Sequence, residues 1–285
     1  MARTLYRRAL RLALYGLPAH YDEAAGNLLG MATLADGQRA IRYGLRALKY
    51  ANRVNDIRHI VSGGRIVAAA FKRAGQFDQA FNHLELALRI ADSRGITLER
   101  SRALAERASV LYWSGNVQEE LAEAEEAYGL ALESAESVND HYGVLRARVG
   151  LGFCALRRGA TADAEAWFGK LRSGLDRETH PELHAFLEQG RACISHQLGD
   201  LRLAARQYAE VMQLCSRWPK WLLSLRAAAT VGAGAVLWHL RPDQPKLAQR
   251  MWSQARRLSR GAAGIAQVTA VSIERCKADR RNVPL

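Results

Sequence analysis

The chain has 285 residues, 49% of them hydrophobic, and carries a net charge of +13, with 41 Lys and Arg against 28 Asp and Glu. That much apolar material can bury a sizeable core and excludes a disordered or fibrous chain, while the basic balance calls for an acidic partner: nucleic acid, an acidic peptide or an anionic surface. Cys154, Cys193, Cys215 and Cys276 form no close pair, which argues against a disulfide framework and reads each as a small buried hydrophobe in a reducing, cytoplasmic compartment.

The first stretch, MARTLYRRALRLALYG, is charged and then apolar, but Arg7, Arg8 and Arg11 break the uninterrupted run that a signal peptide needs. It is predicted to form an N-terminal helix and cap over residues 1–23. No run of 18 apolar residues follows, so no transmembrane helix is expected and no membrane partner is assigned. Ala, Leu and Arg dominate, β-branched residues are sparse and prolines number six, a mixture that favours helices throughout.

From residue 24 the chain repeats. Small residues recur at Ala40, Ala80, Ala164, Ala204 and Ala248, with one step falling on Glu120, so the spacings are 40, 40, 44, 40 and 44. Seven residues on stand Ala47, Ala87, Ala127, Leu171, Val211 and Ala255; twelve residues before stand Leu28, Ala68, Ala108, Gly152, Ala192 and Val236. Five residues before each step lies a turn, at Ala35, Gly75, Gly115, Gly159 and Gly199, where glycine accepts the left-handed backbone that ends a helix. Each unit thus reads as two helices joined by a short turn, with Phe71, Leu84, Leu111, Phe168, Tyr208 and Trp252 filling the gaps between small residues. About six such hairpins are predicted over 24–260, and a capping helix and tail over 261–285. RPDQPKL replaces the usual turn in the last hairpin, as suits the end of a stack.

The small-turn-small-small pattern of Ala68, Gly75, Ala80 and Ala87 resembles the tetratricopeptide repeat, in the longer variety of about 40 residues found in bacterial regulatory domains rather than the common 34. The resemblance implies an all-α solenoid, a right-handed superhelix of antiparallel helix pairs whose first helices line the concave face. Counting back from each turn, it points to Ser62, Arg102, Arg146, Phe186 and Thr230 and to Arg65, Ala105, Val149 and Gln189 at the helix starts. It points to Lys72, Tyr112 and His196 and to Arg73, Trp113, Arg157, Gln197 and Arg241 at the helix ends, with Ala69, Ser109, Phe153, Cys193 and Leu237 between. The expected partner-binding set is therefore Arg65, Lys72, Arg73, Arg102, Tyr112, Trp113, Arg146, Phe153, Arg157 and Arg241, a basic groove with apolar spots. Glu106 and Glu188 are placed to neutralise part of it. The family's clamp for C-terminal carboxylates needs Asn on the first helices, where this chain has Ala69 and Ser109.

The second helices differ in charge. Arg39, Arg42, Arg46, Lys49 and Arg53 form a basic stripe, Glu119, Glu120, Glu123, Glu126 and Glu133 an acidic one, and Arg250, Arg256, Arg257 and Arg260 make the C-terminal end basic again. Such patches can steer a partner or promote self-association. No phosphate-binding loop occurs, GAGAVLW at 232–238 reads as small-residue packing, and HPELH at 180–184 is not a zinc motif. No metal, cofactor or catalytic residue is expected. The sequence points to a non-enzymatic scaffold or regulatory module that takes an acidic or amphipathic segment of a partner protein or peptide. A nucleic-acid-linked regulator is the alternative.

Overall fold

A computed structural model describes Thr4 and residues 21–35, 37–114, 118–176, 178–217, 223–260 and 263–278. Most of the predicted N-terminal cap, the turn at Gly115, the RWPKW link and the tail lie outside the described residues. The chain divides into two compact units, residues 1–144 and 145–285. Every described element is a helix or a turn, and the class is an all-α solenoid of helical hairpins.

The first unit holds α1 (Tyr21–Leu34), α2 (Gly37–Arg53), α3 (Ile57–Arg73), α4 (Phe77–Arg94), α5 (Thr97–Ser114) and α6 (Gln118–Ser137), with the start of α7 (His141–Arg158) at its end. From α1 to α6 each helix packs on the next, and first helices of successive hairpins also touch, α1 on α3 and α3 on α5. Asp56 caps α3 by accepting from the His59 amide at 3.1 Å, satisfying one of the orphan donors of the first turn. Burial pushes the Asp56 carboxyl up, but the bonds from the His59 ring and amide outweigh it and hold the group below its ordinary range.

The second unit holds the rest of α7, then α8 (Thr161–Ser173), α9 (Pro181–Gln197), α10 (Leu201–Ser216), α11 (Leu223–Leu240), α12 (Pro245–Leu258) and α13 (Ala263–Ala278). Pro181 and Pro245 open their helices, where a missing N–H costs nothing. By length and composition α11 passes for a membrane span, yet Gly232 and Gly234 press it against Tyr208 of α10 and Trp252 of α12, and 56% of it is buried.

The repeat column is a column of burial. Ala40, Ala80, Ala164, Ala204 and Ala248 are all fully buried, and Gly75, Gly159 and Gly199 take positive φ of 74°, 79° and 85° at the turns. The third hairpin corrects the predicted register. Glu120 is only half-buried, and the residue in the column is Ala124, followed by Tyr128 and Ala131 in the places of Leu84 and Ala87. The spacings are then 40, 44, 40, 40 and 44. Four extra residues are about one helical turn, so Glu120 and Ala124 share a face and periodicity alone does not separate them.

Candidate partner-binding faces

In the first unit the predicted face lies on α3 and α5. Lys72, at the end of α3, reaches across to α5, where its ammonium donates to Glu106 Oε1 at 2.6 Å and to Ser109 Oγ at 2.7 Å. The Glu106 side chain is 2% exposed, so a cation closes over a carboxylate that lies deep between two helices. One repeat further on the same device recurs. Arg102 on α5 donates from Nε to Asp140 Oδ2 at 3.0 Å and from Nη2 to Oδ1 at 3.3 Å, a forked bond to a buried carboxylate at the entrance to α7.

Glu106 was legible as a neutralising residue; Asp140 was missed, because it lies in the link before a helix rather than on the helix face. Arg65 and Arg73 are half-buried on α3 and make contacts of their own. Trp113 is half-buried and stands edge-on to Tyr112, with ring centroids 6.4 Å apart. Tyr112 itself is buried and forms wall rather than open surface, as do Ala105 and Ser109, because α5 is packed on two sides by its neighbours.

In the second unit the face is differently made. Arg146 and Arg157 on α7 are half-buried, and Arg241 is exposed at the end of α11. Phe153 stands edge-on to both Phe168, at 5.4 Å, and Phe186, at 6.1 Å. Gln189, Cys193, His196 and Thr230, placed on the concave surface by the family register, are all buried instead. They form a polar seam inside the packing: Tyr208 OH and Gln189 Nε2 each donate to Cys193 Sγ at 3.6 Å, and His196 Nδ1 lies 3.4 Å from Tyr208 OH. Gln197 ties α9 to the preceding hairpin by donating to the Leu156 carbonyl at 2.8 Å and accepting from Thr161 Oγ1 at 3.2 Å.

Burial raises the Cys193 thiol to about 12 in spite of its two hydrogen bonds, and raises Cys215 and Cys276 to about 12 as well. All four cysteines are buried and unbridged, and the three with raised values stay protonated and are poor nucleophiles. His184 lies 3.9 Å from Glu188, which Arg191 also holds at 3.0 Å, so HPELH feeds an ion-pair cluster. Among the described residues no group of three or more His, Cys, Asp or Glu is placed to hold a metal.

No protein-family model matches the sequence, and no curated protein matches it. Among solved structures the chain is similar to aspartyl phosphate phosphatase F from Bacillus subtilis, with a TM-score of 0.65 and 12% identity over 92% of this chain and 66% of that one. It is similar also to a Rap protein complexed with competence and sporulation factor, with a TM-score of 0.61 and 14% identity over 97% of this chain and 80% of that one. The chain spans just under two thirds of the length of the phosphatase. At such identities the likeness concerns the fold, and with the buried repeat column it supports an all-α helical-repeat fold of the tetratricopeptide type.

Proposed function

We propose that the chain is a non-enzymatic regulatory scaffold whose first-helix faces take an acidic or amphipathic segment of a partner protein or peptide. The observation that carries this reading is the cluster on α3 and α5. Four cations lie there: Lys72 and Arg102 close over the carboxylates of Glu106 and Asp140, and Arg65 and Arg73 are half-buried on α3. The paired cations are pre-positioned: Lys72 and Arg102 already have their rotamers selected, so a ligand carboxylate meets them at a lower ordering cost. The basic cluster draws an anionic segment in and orients it, and Trp113 offers contact area at the end of the cluster. The similarity to a Rap protein solved with a bound factor supports a protein or peptide partner.

The alternative, a nucleic-acid-linked regulator, draws on the net charge of +13 and on α12, where Lys246, Gln249, Arg250, Ser253 and Arg257 line an open hollow of about 430 Å³. Titration of the full chain with a Glu-rich peptide and with random-sequence DNA and RNA, at low and high salt, separates the two. Peptide binding weakened at least about tenfold by R65E/R73E, with helicity unchanged, is the expected result. Nucleic acid bound more tightly than peptide, with a steep salt slope, would establish the alternative.

A further inference from the structure

The second helices of the first unit are charged in sequence along the stack. On α2 the exposed residues include Arg39, Arg42 and Lys49 and the helix has no acid; on α6 they include Glu119, Glu123, Glu126 and Glu133 and the helix has no base. Among the described residues none of these seven has a carboxylate or cation partner. Between the two lies α4, which carries both signs, with Asp78 in its first turn and Arg94 in its last. Each of the three helices also exposes one leucine within its charged row: Leu45 at 41%, Leu86 at 49% and Leu130 at 42%.

A surface that runs from basic through mixed to acidic, with an apolar line across it, is complementary to itself turned through 180°. We infer that this outer face is the interface of a two-fold dimer, with α2 of one copy on α6 of its partner, α6 on α2, and α4 on α4. The axis passes at Leu86. The two-fold axis that lays α2 on α6 runs along α4, so the two α4 helices meet in parallel, Leu86 against Leu86 of the other copy. The interface is isologous, which closes the assembly at two copies instead of opening it into a filament.

A third party of either charge is a poorer fit. An acidic partner would be drawn to α2 and repelled by α6, and a basic one the reverse, whereas a second copy satisfies both ends at once. The three leucines supply apolar contact that a purely electrostatic encounter lacks, and the charges fix register and orientation.

Sedimentation velocity of the full chain tests the proposal. A dimer is expected at low salt that dissociates as salt is raised, because exposed pairs are screened over roughly 10 Å at 0.1 M. E119K/E123K/E126K and R39E/R42E/K49E are each expected to be monomeric and fully helical by circular dichroism. Mixed one to one they are expected to form a heterodimer, since the basic α6 of one then meets the acidic α2 of the other and the remaining pair is native in α2 and α6. L86E, at the axis, is expected to block every combination. A chain that stays monomeric at all salts overturns the proposal, as does a dimer indifferent to the reversals or a mixture that fails to pair. Open-ended oligomers in place of a dimer overturn the two-fold arrangement. A monomer that captures a Glu-rich peptide through α2 alone assigns the face to an acidic partner instead.

Discussion

The two units build the same repeat from different chemistry. In the first, consecutive first helices are tied by charge: Lys72 to Glu106 and Arg102 to Asp140, over packing by alanine and leucine at Ala80, Leu84 and Ala87. In the second, aromatic rings from the second helices enter notches made by glycine. A Cβ at Gly152 or Gly190 would overlap Phe168, one at Gly232 would overlap Tyr208, and one at Gly234 would overlap Trp252. In the second unit a neutral tie, through Gln197, joins α9 to the preceding hairpin. The contrast teaches that burial at one column is what the repeat requires. Whether the gap between first helices is closed by an ion pair or by a ring is free to vary.

Removing a ring should break the second unit hardest. Phe168→Ala empties a site between two glycines and is expected to cost about 4 kcal/mol in urea unfolding. Next comes the buried pair of the first unit. Lys72→Met takes the ammonium away from the buried Glu106 carboxylate and is expected to cost about 3 kcal/mol, most of it recovered in K72M/E106L. An unrecovered double variant would show that the pair contributes net stability rather than mutual compensation.

Gly190→Ala is expected to lose about 2 kcal/mol to overlap with Phe168 although alanine is the better helix former, and to lose less than about 1 kcal/mol in a Phe168→Leu background. Smallest is the pH effect. Burial raises Cys193, Cys215 and Cys276 from 9.0 to about 12, so the folded state holds these protons after the unfolded chain has released them. Their contribution is complete below pH 9 and is lost as pH rises from there towards 12. Burial raises Tyr208 in the same direction. The urea midpoint is expected to be level through neutrality and to fall above pH 9, less steeply in Cys193→Ala. The four cysteines all lie in the second unit, so the first has no thiol to contribute.

Much of the scaffold was legible from spacing. The helix pairs and the glycine turns at 75, 159 and 199 follow from small residues recurring at a fixed interval, since only a stacked repeat needs them there. The face was less legible. The family register places Gln189, Cys193, His196 and Thr230 in the open. In this chain α9 meets α10 and α11 and α11 meets α12 and α13, which covers those positions.

By itself the sequence determined the repeat, the helix pairs and the location of the basic residues, because each depends on neighbours within a few turns or on a fixed period. Only the tertiary structure decided that Ala124 and not Glu120 enters the core, and that Lys72 and Arg102 are spent on Glu106 and Asp140 34 and 38 residues away. Charge partners and packing across repeats depend on how far one helix is turned against the next. A shift of four residues leaves a helix's own pattern nearly unchanged while it moves every contact that the helix makes.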